Sequence, residues 1–351
     1  GGAHVTVQVE AALVCLSFVS LDIAKRALLL HATPAQKQRA ARAKGANLDL
    51  NQVTHEAQVH HDSLTKVISL LANSTQFLVC NAMTCSAVGR FLTKFAQWCS
   101  KNPPVLDAAA NVALTAFKAA VNLSDSNEAI RPFFETSSAL RNLLSRAPQH
   151  FASNQAALAA LSDGWVTSYM AAGHELGIEF EDRQALASGI CRVLASLNDP
   201  AAFQSNFFGF LQPAIMMLGE IFDKASAKLD PSRGADEIKL LAVVVRNFKL
   251  GGPIINQGGE AGNLLLLLIG KVWNGLEQAA KGFGDKVEVV EALEDLMREL
   301  VGMEGRAGLE GVAQLSVALL ESGNGGSEAV FGALSEMAEI YGGTVGGIEE
   351  G

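Results

Sequence analysis

The stretch Trp273–Gly302 reads WNGLEQAAKGFGDKVEVVEALEDLMRELVG, and its pattern is that of two helices joined by a tight turn. The turn is predicted at Gly282 to Gly284, because glycine adopts the left-handed conformation that ends many helices. Asp285 and Glu288 stand three residues apart, which predicts a capping box at the start of the second helix. Two such helices cannot bury their apolar faces alone, so the stretch predicts a stack of similar pairs.

The second helix of this pair has one apolar face and one charged face. Its apolar residues recur at the intervals that line one side of an α-helix: Val289, Leu293, Leu296, Met297 and Leu300. The other side carries four charged residues, Glu291, Glu294, Asp295 and Arg298. The pattern predicts a helix that packs into a core on one side and faces solvent or a partner on the other.

The composition favours a helical repeat array. The chain has 351 residues, which is more than one ordinary core holds. It is 49% hydrophobic but only 6% aromatic, with two tyrosines, so residues that favour strands are sparse. Helical signals recur at about 40 residues per helix pair, the spacing of HEAT-type repeats. We therefore expect an all-α solenoid (superhelix) forming one continuous segment of about seven HEAT-type helix pairs.

Proline and glycine positions, together with the periodicity, predict the helix boundaries. Pro103, Pro132 and Pro200 are expected in first turns, with Asp199 as an N-cap. Pro213 falls inside a helical pattern and is expected to kink or split its helix. The predicted helices cover 5–30, 62–73, 77–98, 104–121, 128–146, 149–161, 163–174, 181–197, 199–228, 236–249, 261–281, 285–303, 306–322 and 327–341.

Residues 32–54 interrupt the apolar pattern. They contain few large apolar residues and four basic ones close together, Lys37, Arg39, Arg42 and Lys44. We expect an exposed, mobile loop or a loose polar helix here. The stretch is either a partner-binding tail or a solvated linker, and the frequency of such linkers favours the second interpretation.

Negative charge is concentrated in the C-terminal fifth of the chain. Residues 285–351 hold fourteen acidic and three basic residues, a net charge of −11 against −9 for the whole chain. Such a surface repels nucleic acid and attracts basic polypeptides. The longest apolar run, Leu264–Ile269, is far too short to span a bilayer. Neither direct nucleic-acid binding nor membrane insertion is expected.

The cysteines do not form a recognisable framework. There are five of them, Cys15, Cys80, Cys85, Cys99 and Cys191, at unpatterned spacings. An odd number without a pattern argues against structural disulfides. We expect reduced, buried cysteines, as in proteins of the cytosol or nucleus.

No motif for catalysis, cofactor binding or metal binding is recognisable in the sequence. His55, His60 and His61 with Glu56 lack the spacing of a zinc-binding helix, which favours ordinary polar residues. The glycine-rich stretch Gly258–Gly262 fits neither a dinucleotide-binding motif nor a P-loop. We therefore predict a non-enzymatic protein with no catalytic, cofactor-binding or metal-binding residues.

Four stretches, in order, resemble the importin-β superfamily (β-karyopherins), in the branch that holds the SR-protein transportin and importin thirteen. The longest, Leu176–Pro213, matches through Gly189, Val193, Leu194, Leu197, Asp199, Pro200, Leu211 and Pro213, with Leu218 just beyond it. The others are Val9–Leu16, Val88–Leu106 with Trp98 and Pro103, and Trp273–Glu291. Glu339–Gly342 resembles the close of the next unit.

The resemblance implies a nuclear transport receptor that binds protein cargo on the concave face of its superhelix under the control of GTP-bound Ran. It implies nucleoporins as further partners and a location in both cytoplasm and nucleus. It also implies that this chain is the middle of the receptor, with Ran-binding repeats upstream of Gly1 and further repeats after Gly351. The alternative is a HEAT-repeat scaffold or adaptor of a protein complex without Ran dependence.

The resemblance places the cargo-facing helix at Val289–Gly302. In the SR-protein importer this helix is rich in arginine, which pairs with phosphoserine. Here only Arg298 remains, and Glu291, Glu294 and Asp295 supply the opposite charge. These four are the candidate cargo-binding residues, and they favour basic cargo over phosphorylated RS tails. The simpler interpretation is that they form the solvated side of a helix.

The same patterns predict the core. We expect the buried side chains to include Leu13, Leu16, Phe91, Trp98, Val193, Leu197, Leu211, Trp273, Leu276, Leu293, Leu296 and Leu300.

Overall fold

The computed structural model describes residues 12–13, 22–43, 50–74, 82–123, 132–171, 180–222, 231–249, 260–303, 308–322 and 327–342. Within these ranges every regular element is a helix, and no strand occurs. Residues 22–28 are helical and lead into a 3-10 turn, Leu29–His31. The α-helices that follow are α1 (Pro34–Ala43), α2 (Leu50–Asn73), α3 (Ala82–Cys99), α4 (Pro103–Asn122), α5 (Pro132–Arg146), α6 (Pro148–Ser153), α7 (Gln155–Ala171), α8 (Phe180–Leu194), α9 (Pro200–Ile221), α10 (Pro231–Lys249), α11 (Glu260–Phe283), α12 (Val287–Val301), α13 (Leu309–Glu321) and α14 (Ser327–Gly342).

The helices form two compact units, Gly1–Val193 and Leu194–Gly351. Both units follow one packing rule, in which a helix contacts its neighbour in sequence and also the helix of the next pair. In the first unit α2, α4 and α7 pack in one layer, and α3 and α5 in the other. In the second unit the layers are α9, α11 and α13, and α10, α12 and α14. Each unit is thus a double layer of helix pairs. The expectation of one continuous segment with about seven pairs stays a prediction.

Helices α3 and α5 are in close contact where Gly89 of α3 faces α5. A Cβ atom added to Gly89 would lie 2.5 Å from the carbonyl carbon of Glu135 and 2.8 Å from the backbone nitrogen of Thr136. Beside it, Nε of Arg90 donates to Oε1 of Glu135 at 2.8 Å. Because Gly89 has no side chain, the two helix backbones can pack in direct contact. The Arg90–Glu135 pair links the two helices beside this contact, on the side toward solvent.

The predicted core is confirmed at every described position except one. Trp273 is only partly buried, because α11 turns it toward an open cleft beside α13. Leu16 lies outside the described residues. The other predicted side chains are at most 7% exposed: Leu13, Phe91, Trp98, Val193, Leu197, Leu211, Leu276, Leu293, Leu296 and Leu300.

Proline marks helix starts as predicted, but Pro213 does not split its helix. Pro103, Pro132 and Pro200 begin α4, α5 and α9. The Asp199 carboxylate caps α9 by accepting hydrogen bonds from the backbone amides of Ala201 and Ala202, both at 3.2 Å. The α9 helix continues through Pro213, because the side chains around it, Phe210, Leu211 and Ala214, are buried in the core and hold the turn in place.

The helix break predicted near residue 162 is wrong. The short helix α6 ends before Asn154, whose Oδ1 accepts a hydrogen bond from the backbone N–H of Ala157 at 3.1 Å and so caps α7. The α7 helix then runs unbroken to Ala171. Gly164 lies within α7 close to the predicted break, and a Cβ atom there would come within 3.0 Å of the Phe117 ring. This glycine serves helix packing rather than a turn.

The capping box predicted at Asp285 and Glu288 is also wrong. The N-cap of α12 is Lys286, without a side-chain hydrogen bond. Asp285 pairs with Lys286 at 3.1 Å, and Glu288 accepts a hydrogen bond from Ser232 of α10 at 3.4 Å. Gly284 does not adopt the left-handed conformation. Glycine is required there for another reason, because a Cβ atom would lie 2.5 Å from Oγ of Ser322. The turn is therefore set by packing between helices.

The stretch 32–54 is helical over Pro34–Ala43 and from Leu50 onward, so the mobile-loop expectation is wrong for these residues and the polar-helix alternative agrees with the structure. Thr33 and Gln36 form a reciprocal cap that starts α1. The Thr33 amide donates to Oε1 of Gln36 at 2.9 Å, and the Gln36 amide donates to Oγ1 of Thr33 at 3.4 Å. Residues 44–49 lie outside the described part of the chain.

One helix of the described residues is long and apolar enough to cross a membrane by length and composition, over Pro103–Val121 of α4. Two thirds of that segment (67%) is buried within its unit. It contacts α2, α3, α5 and α7. The apolar composition of α4 is therefore accounted for by its central position in the first unit.

Candidate functional site

The four candidate cargo-binding residues all lie on α12, the middle helix of its layer. Helices α10 and α14 flank α12, and α11 and α13 cover its apolar side. Glu291 and Arg298 are exposed, whereas Glu294 and Asp295 are partly buried. The four residues therefore lie along the solvent-facing side of one helix, but they differ in how far they are buried.

Glu294 and Arg298 form a pair beneath α14. Nη2 of Arg298 donates to Oε1 of Glu294 at 2.6 Å, one helical turn apart. Gly332 of α14 packs directly on this pair, since a Cβ atom there would lie 2.6 Å from Oε1 of Glu294 and 3.5 Å from Nη2 of Arg298. The two charges neutralise each other, and the two side chains form part of the surface on which α14 packs.

Of the four candidate residues, Glu291 and Asp295 are the two whose charges are uncompensated among the described residues. They stand four residues apart, so their side chains lie on the same side of the helix. Within the described part of the chain, neither carboxylate has an ion-pair or hydrogen-bond partner. The outward face of α12 therefore carries a net negative charge from these two residues.

The seam between α12 and α10 holds a charged pair that the sequence analysis missed. Nε of Arg246 donates to Oε1 of Glu299 at 2.6 Å. Glu299 is only 7% exposed, and its neighbours in α12 are core residues. The signal in the sequence was a glutamate placed among the apolar positions of α12. On the other side of α12, the Tyr341 hydroxyl of α14 donates to the Val301 carbonyl at 2.9 Å.

A cleft of about 290 Å³ opens between α11 and α13 in the other layer of the second unit. Its walls include Leu266, Ile269, Trp273 and Leu300, and Glu310 stands at its edge. Gly270 lies in its wall, and a Cβ atom there would meet nothing within 4 Å, so the cleft is open at this position. The described lining residues are mainly apolar or glycine, and because Glu310 is the only titratable one among them, they include no pair of acid and base groups.

The histidines singled out in the sequence do not come together around one point. His61 stands against Trp98, with ring centroids 5.5 Å apart, while His55 is exposed. Nε2 of His31 lies 3.0 Å from Oδ1 of Asn102, whose Nδ2 donates to the Trp98 carbonyl. Across the described ranges, no group of three His, Cys, Asp or Glu side chains is placed to hold a metal ion. Gly258 and Gly259 of the glycine-rich stretch lie outside the described residues.

Three cysteines, Cys85, Cys99 and Cys191, are free and buried, and Cys15 and Cys80 lie outside the described residues. Burial raises the pKa of the Cys99 thiol to about 12 and raises that of Cys191 as well. Both thiols are therefore protonated, and so weakly nucleophilic, at neutral pH.

We expect Cys85, Cys99 and Cys191 to resist iodoacetamide in the folded protein at mildly alkaline pH. The reason is that a buried thiol is inaccessible to the reagent, and burial also keeps Cys99 and Cys191 protonated. Peptide mass spectrometry of the alkylated chain measures this for each residue. The control is the same reaction in concentrated guanidinium chloride, where all three should be modified. Modification of Cys99 without unfolding would contradict the burial described above.

No protein-family model matches the chain, and no curated protein sequence matches it. Solved structures do match, among them one described as "Importin13 cytosolic state", with a TM-score of 0.53 at 12% sequence identity. The alignment covers 92% of this chain, which spans 37% of the length of that structure's chain. At such an identity the likeness is one of fold. It confirms the predicted class: the chain is an all-α solenoid of HEAT-type helix pairs, similar in fold to an importin.

Proposed function

We propose that the chain is part of a nuclear transport receptor of the importin-β type. In this proposal it binds protein cargo on a concave helical face without catalysis, and GTP-bound Ran controls the release of that cargo. The supporting observation is the importin-like fold over 92% of the chain. Nucleoporins would be further partners, and the protein would move between cytoplasm and nucleus. The proposal involves no cofactor, nucleic acid or membrane insertion.

The charge on α12 supports basic cargo rather than phosphorylated cargo. Of the three candidate acids on this helix, Glu291 and Asp295 are available, because Glu294 is already paired with Arg298. The only arginine of this helix is therefore engaged and is poorly placed to recruit a phosphoserine. We propose that Glu291 and Asp295 contact cargo directly, whereas Glu294 and Arg298 hold α14 in position beside them.

Replacing Glu291 and Asp295 together by lysine is expected to weaken binding of a Lys/Arg-rich peptide by about tenfold or more, because like charges now face each other. Fluorescence anisotropy with a labelled basic peptide measures the change. The matched control is Glu310→Lys with Glu321→Lys on α13, which alters the net charge equally in the other layer of the same unit. Equal losses in both variants would show non-specific attraction and contradict the assigned site.

The Ran-dependent part of the proposal has a separate test. The protein in its full natural length is incubated with immobilised Ran in a GTP-locked and in a GDP-bound form. Retention by the GTP-locked form alone is the expected result, together with displacement of the basic peptide. Absence of retention would reject the transport receptor and favour a HEAT-repeat scaffold of another protein complex.

A further inference from the structure

A second charged surface, opposite in sign to α12, lies at α1 in the first unit. The described residues 22–43 contain five basic side chains and one acidic side chain. The acid, Asp22, pairs with Arg26 at 2.6 Å. The remaining basic residues of this stretch are Lys25, Lys37, Arg39 and Arg42. The first unit therefore begins with a local excess of positive charge in a chain whose net charge is −9.

The packing of α1 determines which of these charges face outward. Ala41 is buried, with 6% of its surface exposed, and Nζ of Lys37 lies 3.5 Å from Oγ1 of Thr54 in α2. These two residues therefore mark the side of α1 that packs on the unit. Arg39 and Arg42 are exposed and three residues apart, so they are neighbours on the helix surface away from α2. Within the described ranges, neither guanidinium has a hydrogen-bond or ion-pair partner.

The α1 helix is well suited to present these two arginines. Its ten residues, PAQKQRAARA, include no large apolar side chain but are rich in strong helix formers, and Thr33 with Gln36 caps its start. A guanidinium group is a planar donor that binds a carboxylate through two parallel hydrogen bonds. Two adjacent guanidinium groups on a capped helix are thus prepared to bind two carboxylates of one extended segment.

We propose that the outward face of α1, with Arg39 and Arg42 at its centre, is a docking site for an Asp/Glu-rich segment of a protein partner. The helix is about 15 Å long, which limits the contact to a short segment. A nucleic acid fits less well, because α1 offers no aromatic side chain for base stacking and the chain as a whole is acidic. This site is independent of the cargo surface on α12, which lies in the other unit.

The test uses the whole chain and a fluorescently labelled peptide rich in Asp and Glu, with anisotropy as the readout. The wild-type protein is expected to bind this peptide more tightly than a Gln/Ser peptide of equal length, and added salt should weaken binding. Arg39→Glu with Arg42→Glu should reduce the affinity by at least about tenfold, since it reverses both charges. Arg39→Gln with Arg42→Gln should also reduce affinity, with less risk of disturbing α1.

The matched control reverses two exposed lysines elsewhere in the same unit, Lys94→Glu with Lys101→Glu, and should leave the affinity within about twofold. Circular dichroism confirms that each variant keeps its helices, and binding of the basic peptide to α12 should be unchanged in all of them. Four results would overturn the proposal: no preference of the wild type for the acidic peptide, unchanged binding by both Arg39/Arg42 variants, equal loss in the control, or tighter binding of a single-stranded oligonucleotide of equal charge.

Discussion

Replacing Leu296 by alanine is expected to lower the free energy of unfolding by about 2–5 kcal/mol. Leu296 lies on α12 and is 0% exposed, so the truncation removes buried apolar contacts and leaves a cavity between the two layers of the second unit. Denaturant titration of the whole chain, followed by circular dichroism, measures the change as a shift of the unfolding midpoint.

The control for this prediction is Leu320→Ala on α13, the same substitution at a position that is 54% exposed. It should change the free energy of unfolding by no more than about 0.5 kcal/mol. If the two substitutions had the same effect, Leu296 would not be in the core, and the orientation of α12 described above would be incorrect. The assignment of an acidic surface to the opposite side of α12 would then also be incorrect.

Replacing Gly89 by alanine is expected to lower the free energy of unfolding by about 1–3 kcal/mol, although alanine favours helix more than glycine does. The added methyl group would lie 2.5 Å from the carbonyl carbon of Glu135, so α3 and α5 must move apart. That movement strains the Arg90–Glu135 pair as well. Thermal unfolding monitored by circular dichroism measures the loss.

The control for the glycine substitution is Gly209→Ala in α9, where an added Cβ atom meets nothing within 4 Å. Here only the helix preference acts, and the free energy of unfolding should rise by about 0.5–1 kcal/mol. A lower free energy of unfolding for Gly89→Ala and a higher one for Gly209→Ala would separate the effect of helix packing from that of helix propensity. A stabilised Gly89→Ala variant would mean that the seam between α3 and α5 is wider than described.

Much of the fold could be predicted because its main determinants are local. The period of apolar residues identified buried positions such as Leu293 and Leu296, and the prolines at 103, 132 and 200 gave helix starts. The N-cap at Asp199 followed from the same kind of signal. These features depend on the residue and a few neighbours along the chain, which is all that a single sequence displays.

The incorrect predictions concern contacts between helices. The helix break predicted near residue 162 is absent, and the nearby Gly164 makes room for the Phe117 ring of another helix. Gly284 does lie in the predicted turn, but close packing against Ser322, not a left-handed backbone, requires glycine there. Trp273 has the spacing of a core residue, but the neighbouring helix does not close over it. Sequence spacing gives the direction of a side chain on its own helix, whereas the position of the opposing helix decides whether that side chain is covered.

The outward position of the candidate residues could be predicted from the sequence, but their pairing could not. The charged side of α12 faces outward, as the apolar periodicity indicated. The division of the four candidate residues into one neutralised pair and two available carboxylates depends on α14, because Gly332 brings that helix onto Glu294 and Arg298. The structure of α1 was also hard to predict from its sequence. Its residues are polar enough for a loop, but the cap formed by Thr33 and Gln36 stabilises a helix.

Because the main contacts of each helix are with helices one to three places away in sequence, a seam can form before the remainder of its unit has been synthesised. The bonds between helices described above join residues 45 positions apart for Arg90–Glu135 and 53 for Arg246–Glu299. Contacts of short sequence separation favour rapid folding, and chains fold from the N-terminus as they leave the ribosome. The seam between α3 and α5 can therefore close as soon as α5 has emerged, so the apolar faces of the growing chain are exposed for about one helix pair at a time.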